Sequence, residues 1–312
     1  MILIVCDPGD DHAAAVAARL LDAGREVEIV DAVGLSPDVA LDLEYGGHDR
    51  PARRVLHVHG RAIDLDSVTV GWWRRLPAPV ASHDRALLAA TPASADALES
   101  VLASLDVVWI NDPAADRASR RRPVLWDTAA LAGLAVPHTL VTRDRAEALT
   151  FAHEHAEHGV SVTSIERRTD DWTSGTRLPA ASIPAWFDGA ATDSVLQSWV
   201  EGIDVRVIVV GTAMYTVELI DRDDETPVEL AIAAGCLRRA DLPDHVYEAL
   251  WVLMQNLGLI TASIDLRKTP EGHHVLIDLD PSPRWADIER RTAWPITSAV
   301  ADAITRRERV LV

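Results

Sequence analysis

Three observations predict an α/β fold. The chain opens as β-α-β: the apolar run "MILIV" ends in Asp7-Pro8-Gly9-Asp10, the alanine-rich stretch His12–Leu21 follows with Gly24 beyond it, and "EVEIVDA" is a second strand. Strand-like and helix-like segments then alternate along the chain. Near the C-terminal end two apolar runs, "LITASIDLR" and "HHVLIDLD", flank Thr269-Pro270-Glu271-Gly272 as a hairpin. A β-α-β opening lays its helix on a parallel sheet. Its first turn has no glycine-rich fingerprint, so no dinucleotide site is expected there.

The remaining elements follow in order. "LDLEY" and "RVLHVHG" alternate like an antiparallel hairpin, and "VTVGWW" (Val68–Trp73) is a strand broken by Arg74-Arg75-Leu76-Pro77. A helix is expected over Ala86–Leu105 and a strand at "DVVWIN". The polar, arginine-rich segment Asp112–Pro123 reads as a linker, which places a boundary near residue 110 and divides the chain into 1–110 and 111–312. Beyond it come a helix over Val124–Ala132 stopped by Gly133, a strand at "HTLVT", a helix over Arg145–His158 and a strand at "VSVTSIER". Thr169–Ala191 reads as a polar loop or flap. "VLQSWV", "DVRVIVVG", "AMYTVELI" and "VELAIA" read as strands, Pro243–Leu257 as a helix, and Ile296–Arg307 as the closing helix.

Composition narrows the function. The 312 residues are 48% hydrophobic and 25% charged, an ordinary globular balance. A net charge of −18 argues against nonspecific binding to nucleic acid or anionic membrane, which needs a basic surface. No run approaches the roughly 20 apolar residues of a membrane span, and the first residues do not read as a signal peptide. A cytoplasmic location is expected. Cys6 and Cys236 read as structural cysteines, and His153, His155 and His158 as a solvated helix end rather than a metal site. Lys268 is the chain's only lysine. Any role that needs several ammonium groups has been reassigned to arginine or is absent.

The hairpin carries the chemistry. With a symmetric loop, Lys268 faces His273 and Asp265 faces Leu276. The period of two then puts Asp265, Asp278 and Asp280 on one face and Ile264, Leu266, Val275, Ile277 and Leu279 on the other. Carboxylates gathered on one face suit a hard, oxygen-liking cation such as Mg²⁺. The alternative is three solvated aspartates on an open sheet.

These residues resemble the ATP-grasp superfamily and, within it, the graspetide or microviridin-type maturases of ribosomally made peptides. Four stretches carry the resemblance: Trp72-Trp73-Arg74-Arg75-Leu76-Pro77; Trp109–Asp144, with Asn111, Pro113, Gly133, Pro137, Thr139 and Thr142; "LQSWVEGIDVRVIVVG"; and Asp265…Asp278-Leu279-Asp280-Pro281. The implied architecture is a Rossmann-like pre-ATP-grasp domain followed by an ATP-grasp domain whose two subdomains clasp a nucleotide. The implied activity is a carboxylate ligase: ATP phosphorylates a peptide carboxylate, and a hydroxyl or amine displaces the phosphate to form an ester or amide.

By position, the resemblance gives Asp265, Asp278 and Asp280 to Mg²⁺, Glu201 with Gln197 to the nucleotide, and Asp204 with Arg206 to the acceptor carboxylate. Apart from the resemblance, Trp73, Arg74 and Arg75 read either as an arginine–aromatic platform for an acidic peptide segment or as a core anchor, Trp72 or Trp73, with solvated arginines beside it. The sequence departs from the pattern at both nucleotide-binding lysines. Arg122 stands at the first, and Thr163 or Ser164 at the second, where Arg167 is the nearest cation. Asp278 and Asp280 replace a glutamate and an asparagine. Three readings stay open: a maturase of a precursor peptide with leader and acidic core, a ligase for a small amino-acid substrate, and a degenerate ATP-grasp protein that binds a peptide or partner without ATP chemistry. A homodimer is common in such groups.

Overall fold

Four consecutive aliphatic residues, Ile2–Val5, form the first strand (β1), and all four are buried, as the middle of a parallel sheet requires. The computed structural model describes residues 1–30, 39–46, 52–74, 97–165, 176–189, 193–222 and 226–310. The chain divides into two units: Met1–Arg117 with Gly258–Thr261 and Pro295–Val312, and Ala118–Leu257 with Ala262–Trp294.

In the first unit β1 is followed by α1 (Asp11–Asp22), β2 (Val27–Val30), β3 (Val39–Glu44), β4 (Arg53–Val58), β5 (Arg61–Asp64), β6 (Val70–Trp73), β7 (Val108–Ile110) and α2 (Pro113–Ser119). The main sheet runs β2-β1-β6-β7, all parallel. Helix α1 is capped by the Asp10 side chain, which accepts from the Ala13 N–H, and buries Ala13, Val16, Ala17 and Leu20. The C-terminal helix Ile296–Val310 packs on α1, β6 and β7. Gly71 is required by a close approach, because a Cβ there would stand 2.2 Å from the Trp109 ring. That ring meets Trp73 edge-on at 6.0 Å.

β3, β4 and β5 form a small antiparallel sheet, with β3 and β4 paired as expected. The segment read as a linker contains α2, because Asp112 accepts the N–H groups of Ala114 and Ala115 and so starts a helix. Of the expected Ala86–Leu105 helix, residues 97–105 lie among the described residues, and 97–103 of them are helical.

The second unit contains α3 (Arg122–Leu131), β8 (Thr139–Thr142), α4 (Arg145–Glu154), β9 (Val160–Ser164), β10 (Thr176–Leu178), α5 (Ile183–Gly189), β11 (Ser194–Ser198), β12 (Ile203–Val210), β13 (Ala213–Leu219), α6 (Val228–Ala234), β14 (Leu237–Arg239), α7 (Asp244–Leu257), β15 (Thr261–Lys268), β16 (His274–Asp280) and α8 (Ala286–Thr292). A four-stranded antiparallel sheet has the order β10-β9-β11-β8. One face packs Leu140, Val160, Val162, Leu178 and Leu196 against Phe151 and Ile183. Alternation leaves Thr139, Ser161, Thr163, Arg177 and Gln197 on the other.

A five-stranded sheet has the order β14-β13-β12-β15-β16. "VELAIA", expected as a strand, is helix α6. It buries Val228, Ala231 and Ile232 at helical spacing and ends at Gly235 in the left-handed conformation.

The terminal hairpin differs in register from the symmetric one. Lys268 pairs with His274 rather than His273, and Leu266 with Leu276. A bulge at Ile277 then sets Asp265 opposite Asp278. The loop shift alone would have turned Asp278 and Asp280 away from Asp265, and the bulge turns them back. The three carboxylates therefore share a face as expected. The apolar face is made by Ile264, Leu266, Leu276 and Leu279, while Val275 and Ile277 are only half-buried. Among the described residues no helix is long and apolar enough to cross a membrane.

Candidate functional site

On the five-stranded sheet, Asp204 and Arg206 stand on one side of β12, next to β15. Arg206 is 6% exposed. It donates from Nε to Asp265 Oδ1 at 2.7 Å and from Nη2 to Oδ2 at 2.8 Å, and Nη2 also reaches Glu229 Oε1 at 3.1 Å. Burial works to lower the Arg206 pKa, but Asp265 and then Glu229 outweigh it and hold the pKa above the ordinary guanidinium range. The two parallel bonds of Arg206 thus go to Asp265, inside the chain. Asp204 accepts from Arg222 and, at 3.1 Å, from Arg267 Nη1, so it is not the partner of Arg206.

Asp265 and Asp278 are directly opposed, a like-charge pair that costs energy unless a cation offsets it. Arg206 offsets part of it. Asp280 is 4% exposed. Its Oδ1 accepts the Ser282 N–H at 2.9 Å, and Arg120 Nη1 lies 3.7 Å from the same oxygen while Arg120 Nη2 donates to Ser282 Oγ at 2.8 Å. Among the described residues no three His, Cys, Asp or Glu side chains stand close enough to cage a metal ion. Mg²⁺ seldom uses such cages; it takes one or two carboxylates, with waters and substrate phosphates completing the octahedron. The donor set on this face has that chemistry.

The polar face of the four-stranded sheet carries the nucleotide candidates. Gln197 is buried on β11 and donates from Nε2 to Thr139 Oγ1 at 3.1 Å. Glu201 is exposed just past β11, 3.1 Å from His158 Nδ1. Between them, Trp199 extends the ladder by donating its backbone N–H to Gly159 O. The guanidinium of Arg177 on β10 lies 5.4 Å from the Trp199 ring centre, and that of Arg267 on β15 lies 4.7 Å away. The two sheets of this unit therefore meet at Trp199. Trp199 Nε1 and Thr163 Oγ1 are buried with no hydrogen-bond partner among the described residues. Arg122 is half-buried at the first residue of α3, and Arg167 lies outside the described residues.

The expected peptide platform is not what Trp73 and Arg74 form. Both are 3% exposed in the first unit. Arg74 lies 5.6 Å from the Trp72 ring centre and donates from Nε to Asp10 Oδ2 at 2.6 Å, while Arg75 lies outside the described residues. A strand flanked by parallel neighbours must bury both its faces, and that accounts for these two side chains. Cys6 is buried and Cys236 half-buried, and neither is in a disulfide.

Sequence reasoning missed Arg120, Arg177, Trp199, Arg267 and Glu229. Arg267 was readable in principle, being two residues from Asp265 and hence on its face. Glu229 was hidden by reading α6 as a strand. Arg120 and Arg177 depend on tertiary proximity, which spacing does not carry.

No family model matches the chain, and no curated protein matches it. Solved structures do. Macrocyclase MdnC from Microcystis aeruginosa, bound with precursor peptide MdnA, superposes with a TM-score of 0.82 at 17% identity, covering 97% of this chain and 98% of that one. A RiPP-associated ATP-grasp ligase from Chryseobacterium gregarium, in complex with ADP and a leader and core peptide, gives 0.82 at 18% identity over 98% of each chain. A RimK-domain ATP-grasp protein from Sphaerobacter thermophilus gives 0.62 at 15% identity, covering 97% of this chain and 98% of that one. At such identities the likeness carries the fold alone, and over nearly its whole length this chain has the ATP-grasp fold.

Proposed function

We propose that the chain is an ATP-dependent ligase that cross-links a ribosomally made precursor peptide through a side-chain carboxylate. The observation that carries this reading is the gathering of Asp265, Asp278, Asp280 and Arg206 on one sheet face. On the four-stranded sheet, Thr163 Oγ1 and the neighbouring Trp199 Nε1 are buried with no hydrogen-bond partner among the described residues. The similar structures from Microcystis and Chryseobacterium, bound to peptide and to ADP with peptide, support it.

In the proposed reaction the γ-phosphoryl group of ATP moves to the peptide carboxylate and ADP leaves. A peptide hydroxyl or amine then attacks the acyl carbon, phosphate departs, and the net change in the peptide is the loss of one water. Asp278 and Asp280, with Asp265 beside them, would hold Mg²⁺, whose chemistry is to offset phosphate charge. Gln197 and Glu201 would bind the nucleoside end, and Arg122 would meet phosphate from the start of α3. Arg206 holds Asp265 in place with two bonds and, through a third, ties Glu229 to the same cluster.

Incubation with ATP, Mg²⁺ and an acidic, Ser/Thr-bearing peptide encoded beside the gene tests the reading by mass spectrometry. Loss of water from the peptide with matching ADP release is expected. Neither product, with any such peptide, would favour the second reading, a protein that binds peptide without ATP chemistry. One observation favours that alternative: both oxygens of Asp265 are bonded to Arg206.

A further inference from the structure

An acidic peptide is best received by a cation that is held in place and not already neutralised. Arg74, Arg177, Arg239 and Arg267 each lie on a tryptophan ring. Three of them are engaged within the chain: Arg74 donates to Asp10, Arg177 to His158 O and Arg267 to Asp204. Arg239 differs. Its guanidinium lies 4.9 Å from the Trp294 ring centre and bonds no group among the described residues, and the residue is exposed.

β14 carries two adjacent arginines, and strand alternation sends them to opposite faces. Arg238 stands opposite Glu218 and bonds it, and Lys268 takes the other oxygen of the same carboxylate. Arg239 stands opposite Val217, which stands opposite Arg206 on β12. It is therefore on the face that gathers Asp265, Asp278 and Asp280. Two strands separate it from Arg206, roughly 10 Å at the usual strand spacing. Trp294 reaches this face from just beyond α8 and packs on Tyr215, with ring centres 5.6 Å apart. Tyr215 is two residues from Val217 and so shares its side of β13. A ring packed on the sheet thus holds the guanidinium over it, and no acid of the described residues takes the charge.

We infer that Arg239, seated on Trp294, receives a carboxylate of the peptide substrate other than the one that reacts. This rests on the ligase reading above and deepens it by giving the substrate a second recognised acid. Along an extended peptide, at about 3.3 Å per residue, that acid stands about three residues from the reacting one.

Fluorescence anisotropy of two labelled peptides, one alternating Thr with Glu and the other Thr with Gln, tests the inference. The full chain is used without nucleotide, as wild type, Arg239→Ala and Arg239→Glu. Wild type should prefer the Glu peptide, with an affinity that falls as salt rises. The net charge of −18 alone would give the opposite preference. Arg239→Ala should weaken the Glu peptide about 5- to 10-fold, the scale of one charge-assisted contact at an exposed position, and leave the Gln peptide unchanged. Arg239→Glu should weaken the Glu peptide further. Equal affinity of wild type and Arg239→Ala for the Glu peptide would overturn the inference. So would a wild type that binds the Glu peptide no tighter than the Gln peptide. Parallel loss of both peptides in Arg239→Ala, with a lowered melting temperature, would assign Arg239 to holding Trp294 and would also overturn it. The ligase reading is tested by loss of water from a peptide, so the two can fail separately.

Discussion

Two buried arginine–aspartate pairs invite comparison, one in each unit. Arg74 and Arg206 are 3% and 6% exposed, and each donates from Nε to an aspartate, at 2.6 and 2.7 Å. Their surroundings differ. Asp10 also accepts the Ala13 N–H and caps α1, and Arg74 lies on Trp72, so this pair closes its own charge and ties a helix start to a strand end. Arg206 serves two carboxylates, Asp265 and Glu229, on a face that also holds Asp204, Asp278 and Asp280. Among the described residues the guanidiniums of Arg206, Arg222, Arg267 and Arg120 meet carboxylates of this face. A buried ion pair therefore does not mark a site. Several carboxylates gathered on one sheet face do, because such a face suits a hard cation supplied from outside.

Arg74→Ala gives the largest expected effect on stability. It strands Asp10 and should cost about 3–5 kcal/mol in chemical denaturation, with nucleotide affinity unchanged in the folded fraction. A variant that kept its stability and lost nucleotide binding would reverse the comparison. Asp265→Ala should cost less, about 1–3 kcal/mol, since Arg206 keeps Glu229. It should nonetheless weaken Mg-ATP binding by more than about tenfold, the worth of one charge-assisted contact.

Acid should separate the pairs further. Burial works to raise the Asp10 pKa, but Arg74, the Ala13 N–H and His12 outweigh it and leave the carboxyl below its usual range. A depressed carboxylate contributes stability above its unfolded pKa, about 3.9, and loses it as pH falls through the lower folded value. The stability gap between wild type and Arg74→Ala should therefore narrow below about pH 4 in acid unfolding followed by circular dichroism. The smallest effect concerns Arg120. Its replacement by Ala should cost about 1 kcal/mol by leaving Asp280 less compensated, and Asp280→Asn in the same background should recover most of that cost.

Much of this was legible in the sequence, for definite reasons. The β-α-β opening showed because Ile2–Val5 is uniformly apolar and Asp10 and Gly24 punctuate α1. The carboxylate face showed because strand parity is periodic and Asp278 and Asp280 are two apart. The register did not show. Loop closure and the bulge at Ile277 are set by packing Leu276 and Leu279 beside Ile264 and Leu266, and two shifts that cancel in parity leave no trace in spacing. Helix α6 was misread because seven residues are too few to separate a buried strand from a helix. Trp73 and Arg74 drew a surface role because adjacent aromatic and basic residues look like a platform until burial is known. Arg177 and Arg267 meet on Trp199 from separate strands, which only the folded chain reveals.

The central claim is that the carboxylates gathered on one face of the five-stranded sheet are there to hold a metal–nucleotide complex. Calorimetric titration of a non-hydrolysable ATP analogue with Mg²⁺ into wild type and into the double variant Asp278→Ala/Asp280→Ala tests it directly. Magnesium-dependent binding in wild type, abolished in the variant, is the predicted result. Binding that is absent from wild type, or that survives unchanged without both aspartates, would contradict the account.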